Sequence, residues 1–212
     1  MNVNTPVTSL MVGVYLAVTP IPGVRAAEFQ VARSDANFPA KMRGLLDTQV
    51  TWTRLYIVSA IGGLPDTAFA RARLLRCADD MGKAVEAYYG RADADTIARG
   101  LRRHLQLLAE FTDALRAGDT GAVERSRAAW RSHADSAVAE LESTGLAAPD
   151  VRGLVDRYLQ LTDREVVFRA RADYPNDTAN FGELQETSRQ LADAISGAIL
   201  RQAKAGRPTS GR

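Results

Sequence analysis

Residues 97–115 read IARGLRRHLQLLAEFTDAL, and Gly118-Asp119 follow shortly after. Ile97, Leu101, His104, Leu108, Phe111 and Leu115 recur at spacings of three and four, the period of one helix face. The other face carries Arg, Gln and Glu. The stretch is therefore an amphipathic helix with a glycine stop. His104 stands in the middle of the apolar stripe, where a polar group needs a partner.

The same grammar extends in both directions. A first helix (A) starts near Pro39 and stops at Gly62-Gly63. Two short pieces follow, one after Pro65-Asp66 and one from Asp79-Asp80 to Gly90, and together they form a helical elbow. The helix quoted above (C) starts after Asp93 or Asp95. Helix D runs from Asp119-Thr120 to Gly145, and helix E from Pro149-Asp150 to about Arg171. Pro175 is read as a break. Helix F starts near Asn180, whose spacing to Glu183 suits a capping box, and runs to about Lys204. No alternating strand pattern occurs between Pro39 and Gln202. The expectation is an all-α, up-down bundle of four to five long helices with short connections, a single domain over 39–204. Residues 27–38 read as a flexible lead-in and 205–212 as a disordered tail. A faint repeat pairs LRRHLQL (101–107) with VDRYLQL (155–161), which matches helices C–D to E–F.

Leu10 to Val18 is an apolar run too short to span a bilayer, which takes about 20 residues in helix. With Val24 and Ala26 before Ala27, residues 1–26 read as a signal peptide, although Met1 to Ser9 carries no Lys or Arg. The expected location is secreted, periplasmic or cell-envelope, with the cytoplasm as the alternative. The mature chain is expected to have no transmembrane span.

The 212 residues hold 27 Lys and Arg against 25 Asp and Glu, so no broad electrostatic footprint for nucleic acid is expected. A single cysteine, Cys77, excludes an intrachain disulfide framework and a multi-cysteine metal site. Phosphate-loop, dinucleotide, nucleophile-elbow and zincin motifs are absent from the sequence.

The candidate site follows from polar residues in core register. On helix A, Leu45, Gln49, Trp52, Tyr56 and Ser59 form one line. On helix E the line is Val151, Val155, Tyr158, Thr162, Glu165 and Arg169. On helix D it is Val123, Trp130, Ala134, Ala137 and Leu141, with His133 at its edge. Gln49, His104, Tyr158 and His133 should share hydrogen bonds or hold a ligand, with Glu165 and Asp177 as acidic partners and Arg54 as a cationic one. Trp52 adds aromatic surface. Arg54 lies about 160–200° from the Trp52–Tyr56 line at 100° per residue, toward a neighbouring helix or solvent. Imidazole with carboxylate in a bundle core can hold a metal, but the Glu-x-x-His signature of di-iron bundles is absent. No cofactor and no particular metal is indicated.

Trp52-Thr53-Arg54, Gly63-Leu64-Pro65-Asp66, Arg73-Leu74-Leu75, Tyr88-Tyr89-Gly90, His104-Leu105, Ala117-Gly118-Asp119, Trp130 and Ala192-Asp193 occur in this order. Together they resemble a family of small bacterial all-helical proteins, many exported, with a WTR motif on the first helix. The resemblance covers about residues 45–202. It implies no established activity, although some members carry the label glycosyltransferase. It also implies a three-histidine cluster, one histidine from each of three helices. This chain keeps His104 and has Gln49 and Tyr158 at the other two places, within Asp47-Thr48-Gln49 and Tyr158-Leu159-Gln160-Leu161-Thr162. Those are poor substitutes for imidazole as metal ligands.

The function expected is an exported, non-catalytic binding or sensing module with a polar core pocket for a small molecule or ion. The alternatives are an extracytoplasmic enzyme acting on a sugar or small molecule, and a structural bundle that docks a protein partner.

Overall fold

Glycine and aspartate set most of the helix ends. The computed structural model describes residues 37–143 and 150–205, and the signal-peptide reading lies outside them. Helix α1 spans Phe38–Gly62, with Pro39 in its first turn. It stops at Gly63, where φ is 62°, and the N–H groups of Gly63 and Leu64 bond back to Ala60 and Ser59. Helix α2 spans Thr67–Ala117 and α3 spans Thr120–Ser143. Asp119 opens α3 by accepting the Ala122 N–H at 2.8 Å. Helices α4 and α5 span Val151–Ala170 and Tyr174–Ala205. The protein is an all-α helical bundle, and no described helix is long and apolar enough to cross a membrane.

Helix α2 is not a straight rod. Gly90, at φ 76° and ψ 167°, reverses it. A Cβ on Gly82 would lie 2.8 Å from the Ala98 Cβ and 3.0 Å from the Ala94 carbonyl oxygen. In a straight helix residues 82 and 98 would stand about 24 Å apart. Arg71 reaches Asp113 at 3.3 Å, which a straight helix would place about 60 Å away. The two limbs of α2, before and after Gly90, therefore lie antiparallel with their backbones close at Gly82.

Helix α1 packs on α2 and α5, α2 on α3, and α4 on α5, while α3 and α4 touch sparingly. The core between them holds Trp130, Tyr56, Phe111, Met42 and Ile57, all fully buried. Each such side chain contributes about 1.5–3 kcal/mol through apolar burial.

Three expectations need correction. The elbow is one continuous helical limb from Thr67 to the Gly90 reversal, with no break at Asp79-Asp80, and the next limb starts directly after Gly90. Helix α5 begins at Tyr174, not Asn180. Asp173 caps it, accepting the Asn176 N–H at 3.4 Å and its side-chain Nδ2 at 2.8 Å, so Pro175 is a first-turn residue and not a breaker. Asn180 is inside the helix and buried, donating to the Leu161 carbonyl at 2.8 Å. On α1 the buried face runs through Met42, Leu46, Gln49, Val50, Thr53, Tyr56, Ile57 and Ala60, which leaves Trp52 on its flank.

Candidate functional site

His104 projects from the second limb of α2 with 4% of its surface exposed, and Trp130 of α3 is wholly buried beside it. The Trp130 Nε1–H donates to His104 Nε2 at 3.0 Å. Indole can only donate, so Nε2 accepts, and the neutral ring carries its proton on Nδ1. Burial keeps the ring neutral by pushing its pKa down to about 4. Nδ1 has no hydrogen-bond partner. His133 stacks on His104 at 5.7 Å between centroids, and neither of its nitrogens is bonded. Its pKa is pushed down to about 3, first by burial and then by electrostatic repulsion that a second proton would meet from the His104 ring and from Arg103.

Gln49 of α1 donates through Nε2 to the Tyr158 hydroxyl of α4 at a long 3.4 Å, and its Oε1 is unpartnered. Burial raises the Tyr158 pKa to about 12, which keeps the hydroxyl protonated. Gln49, His104 and Tyr158 border one internal cavity of about 40 Å³ at the centre of the bundle. Every helix contributes to its wall, and the remaining lining side chains, such as Met42, Leu101 and Ile195, are apolar. The three polar positions expected to be in register thus meet at one place.

Arg54, Glu165 and Asp177 form a separate cluster. Arg54 Nη1 donates to Glu165 Oε1 at 2.8 Å and to Asp177 Oδ1 at 2.9 Å, and Nη2 donates to Asp177 Oδ2 at 2.9 Å. Arg169 adds a longer contact to Asp177, at 3.4 Å. The guanidinium of Arg54 also lies over the Phe181 ring, 4.5 Å from its centroid. Glu165 and Asp177 are 0% and 1% exposed, so Arg54 is the principal compensation for two buried carboxylates. Desolvation lifts the Glu165 pKa to about 7 against the pull of Arg54, and its Oε2 lacks a partner. Glu165 lies seven residues beyond Tyr158, about 10 Å along α4. It is outside the cavity lining, as are Asp177 and Arg54.

Trp52 joins neither group; it is half-buried under the Arg73 guanidinium, 5.4 Å from the ring centroid. Sequence reasoning missed Asp113, which accepts the Tyr56 hydroxyl at 2.9 Å, and Arg169 as a partner of Asp177. Asp113 was legible only as one carboxylate among many on a helix surface. Cys77 is a buried free cysteine whose thiol pKa is raised chiefly by burial, which makes it inert.

No family model, curated protein or solved structure matches this chain. No cluster of three or more metal-binding His, Cys, Asp or Glu side chains occurs among the described residues. Around the cavity, one histidine nitrogen is taken by Trp130 and the other carries a proton. The polar residues bordering it bring an imidazole N–H, a side-chain amide and a hydroxyl, a set suited to a neutral polar partner and not to a metal.

Proposed function

We propose that the protein is a non-catalytic binding or sensing module whose ligand is a small neutral polar molecule held in the central cavity. The observation that carries this reading is the pair of unpartnered buried atoms, His104 Nδ1 and Gln49 Oε1, on residues bordering an otherwise apolar chamber. Leaving such a group unsatisfied costs about 1–3 kcal/mol, so an occupant that bridges donor and acceptor is favoured. The chamber sets the size. About 40 Å³ takes roughly two or three waters' worth of matter, so the occupant has a few heavy atoms. A sugar ring does not fit without opening the bundle, which weighs against the glycosyltransferase-like alternative. Export, read from residues 1–26, and the WTR family resemblance belong to the same proposal.

The test is native mass spectrometry, with elemental analysis, of protein purified without chelator. The expected result is a stoichiometric small adduct that is lost in Gln49→Leu and His104→Phe variants with native circular dichroism. A bare polypeptide mass, or a retained metal ion, would overturn it. The same spectrum reads whether the mature chain starts at Ala27.

A further inference from the structure

The seam between α3 and α4 is sparsely packed, and it carries a concentration of positive charge. A groove of about 430 Å³ runs along it, within the size range of small-molecule sites. Arg127 and Arg131, one turn apart on α3, form one wall. Arg164 and Arg171, two turns apart on α4, form the other, with Val167 and Phe168 between them. Four arginines thus surround a groove that contains a single carboxylate, Asp163.

Asp163 is largely buried and is used up internally. It forms an ion pair with Arg127 at 3.1 Å and accepts from Arg131 at 2.6 Å, which holds both guanidiniums at the seam. Arg127 is held further by lying over the Phe111 ring, 4.8 Å from its centroid, and its buried Nε has no acceptor. Arg164 and Arg171 have no carboxylate partner among the described residues, whereas most other arginines of the bundle do. The result is a net positive, partly preorganised fork lattice over an aromatic floor. Guanidinium forks of this kind match the oxygens of phosphate in bidentate fashion.

We infer that this groove is a second binding site, distinct from the central cavity, for a small phosphate ester whose organic part is apolar or aromatic. The phosphate would sit between the two α4 arginines and the fixed α3 pair. The organic part would lie on Val167 and Phe168.

Phenyl phosphate and inorganic pyrophosphate are the probes, titrated calorimetrically into the full chain at low ionic strength. Phenyl phosphate should bind saturably and weaken as salt is added. Arg164→Gln with Arg171→Gln should weaken it by about tenfold or more while the thermal midpoint stays unchanged, since both side chains are exposed and unpaired. Phe168→Leu should weaken phenyl phosphate and leave pyrophosphate alone. Vesicles of phosphatidylcholine with phosphatidic acid separate a lipid headgroup from a free ester: retention on them that phenyl phosphate displaces identifies the lipid as the source of the same chemistry. Absence of saturable binding, binding indifferent to the double arginine variant, or tighter binding of a single-stranded oligonucleotide than of either probe would overturn the inference.

Discussion

Replacing Arg54 by Met keeps an aliphatic stem and removes the charge that faces Glu165 and Asp177. Both carboxylates are buried, and three N–H to oxygen contacts of 2.8–2.9 Å are lost at once. Breaking a buried pair by removing one partner costs about 3–5 kcal/mol; Arg54 is 21% exposed, so screening trims the expectation to about 2–4 kcal/mol. The pH dependence is the sharper signature. Glu165 titrates near 7 in the folded protein and at the ordinary carboxylate value when unfolded, so the folded state holds the extra proton between those limits. That contribution to stability is full at low pH and is lost as pH rises through 7. Removing Arg54 takes away the interactions that lower the Glu165 pKa, so it climbs further and the loss extends to higher pH. The variant's penalty should be larger by about 1 kcal/mol or more at about pH 8 than at about pH 5.5. Urea unfolding followed by circular dichroism at both pH values measures it, and adding Glu165→Gln should abolish the difference. A penalty below about 1 kcal/mol at both pH values, or one that shrinks as pH rises, would refute the reasoning.

Other perturbations probe the rest of the bundle. Gly90→Ala places a side chain at φ 76°, ψ 167°, a region open essentially to glycine, and should lower stability by about 1–3 kcal/mol in urea melts even though nothing crowds the new methyl. Trp130→Phe removes the donor to His104 Nε2 and should cost about 1–3 kcal/mol, while nitrogen NMR of the wild type should report the Nδ1–H tautomer. Both histidines have depressed pKa values, about 4 and about 3, so their contribution is present above pH 6.5 and is lost as pH falls through those values. His133→Leu should therefore move the acid-unfolding midpoint downward, and an unchanged midpoint would show that the ring is not held neutral by the fold.

The helices were legible because their punctuation is local. Gly63, Asp119 and Gly118 act within a turn of themselves, and the sequence shows them directly. Pro175 was misread because proline signals both a break and a first turn, and only the Asp173 cap decides between them. The in-register set Gln49, His104 and Tyr158 was visible since helical period alone places each on an inner face. Arg54, Glu165 and Asp177 were legible as candidate polar partners of that set, but not as a cluster of their own, because their pairing depends on how α4 and α5 dock, 111 and 123 residues later. The arginine groove was hidden for the same reason, because its two walls come from helices whose mutual face no periodicity specifies.

The bundle's seams also differ in how far along the chain they reach. The two limbs of α2 meet at Gly82 and Ala98, neighbours of about 16 residues, and can zip as soon as that stretch exists. The α1–α5 seam, marked by Arg43 and Asp193, joins residues 150 apart. Closing that longer loop costs about 2 kcal/mol more entropy than the short one. On the ribosome α1, the first of the described helices, thus gains α2 early but waits for its other packing partner, α5, until last. Until α5 emerges, the α1 face that ends up against it has only solvent or chaperone to cover it, and a chain that stops before Tyr174 never acquires the second acid for Arg54.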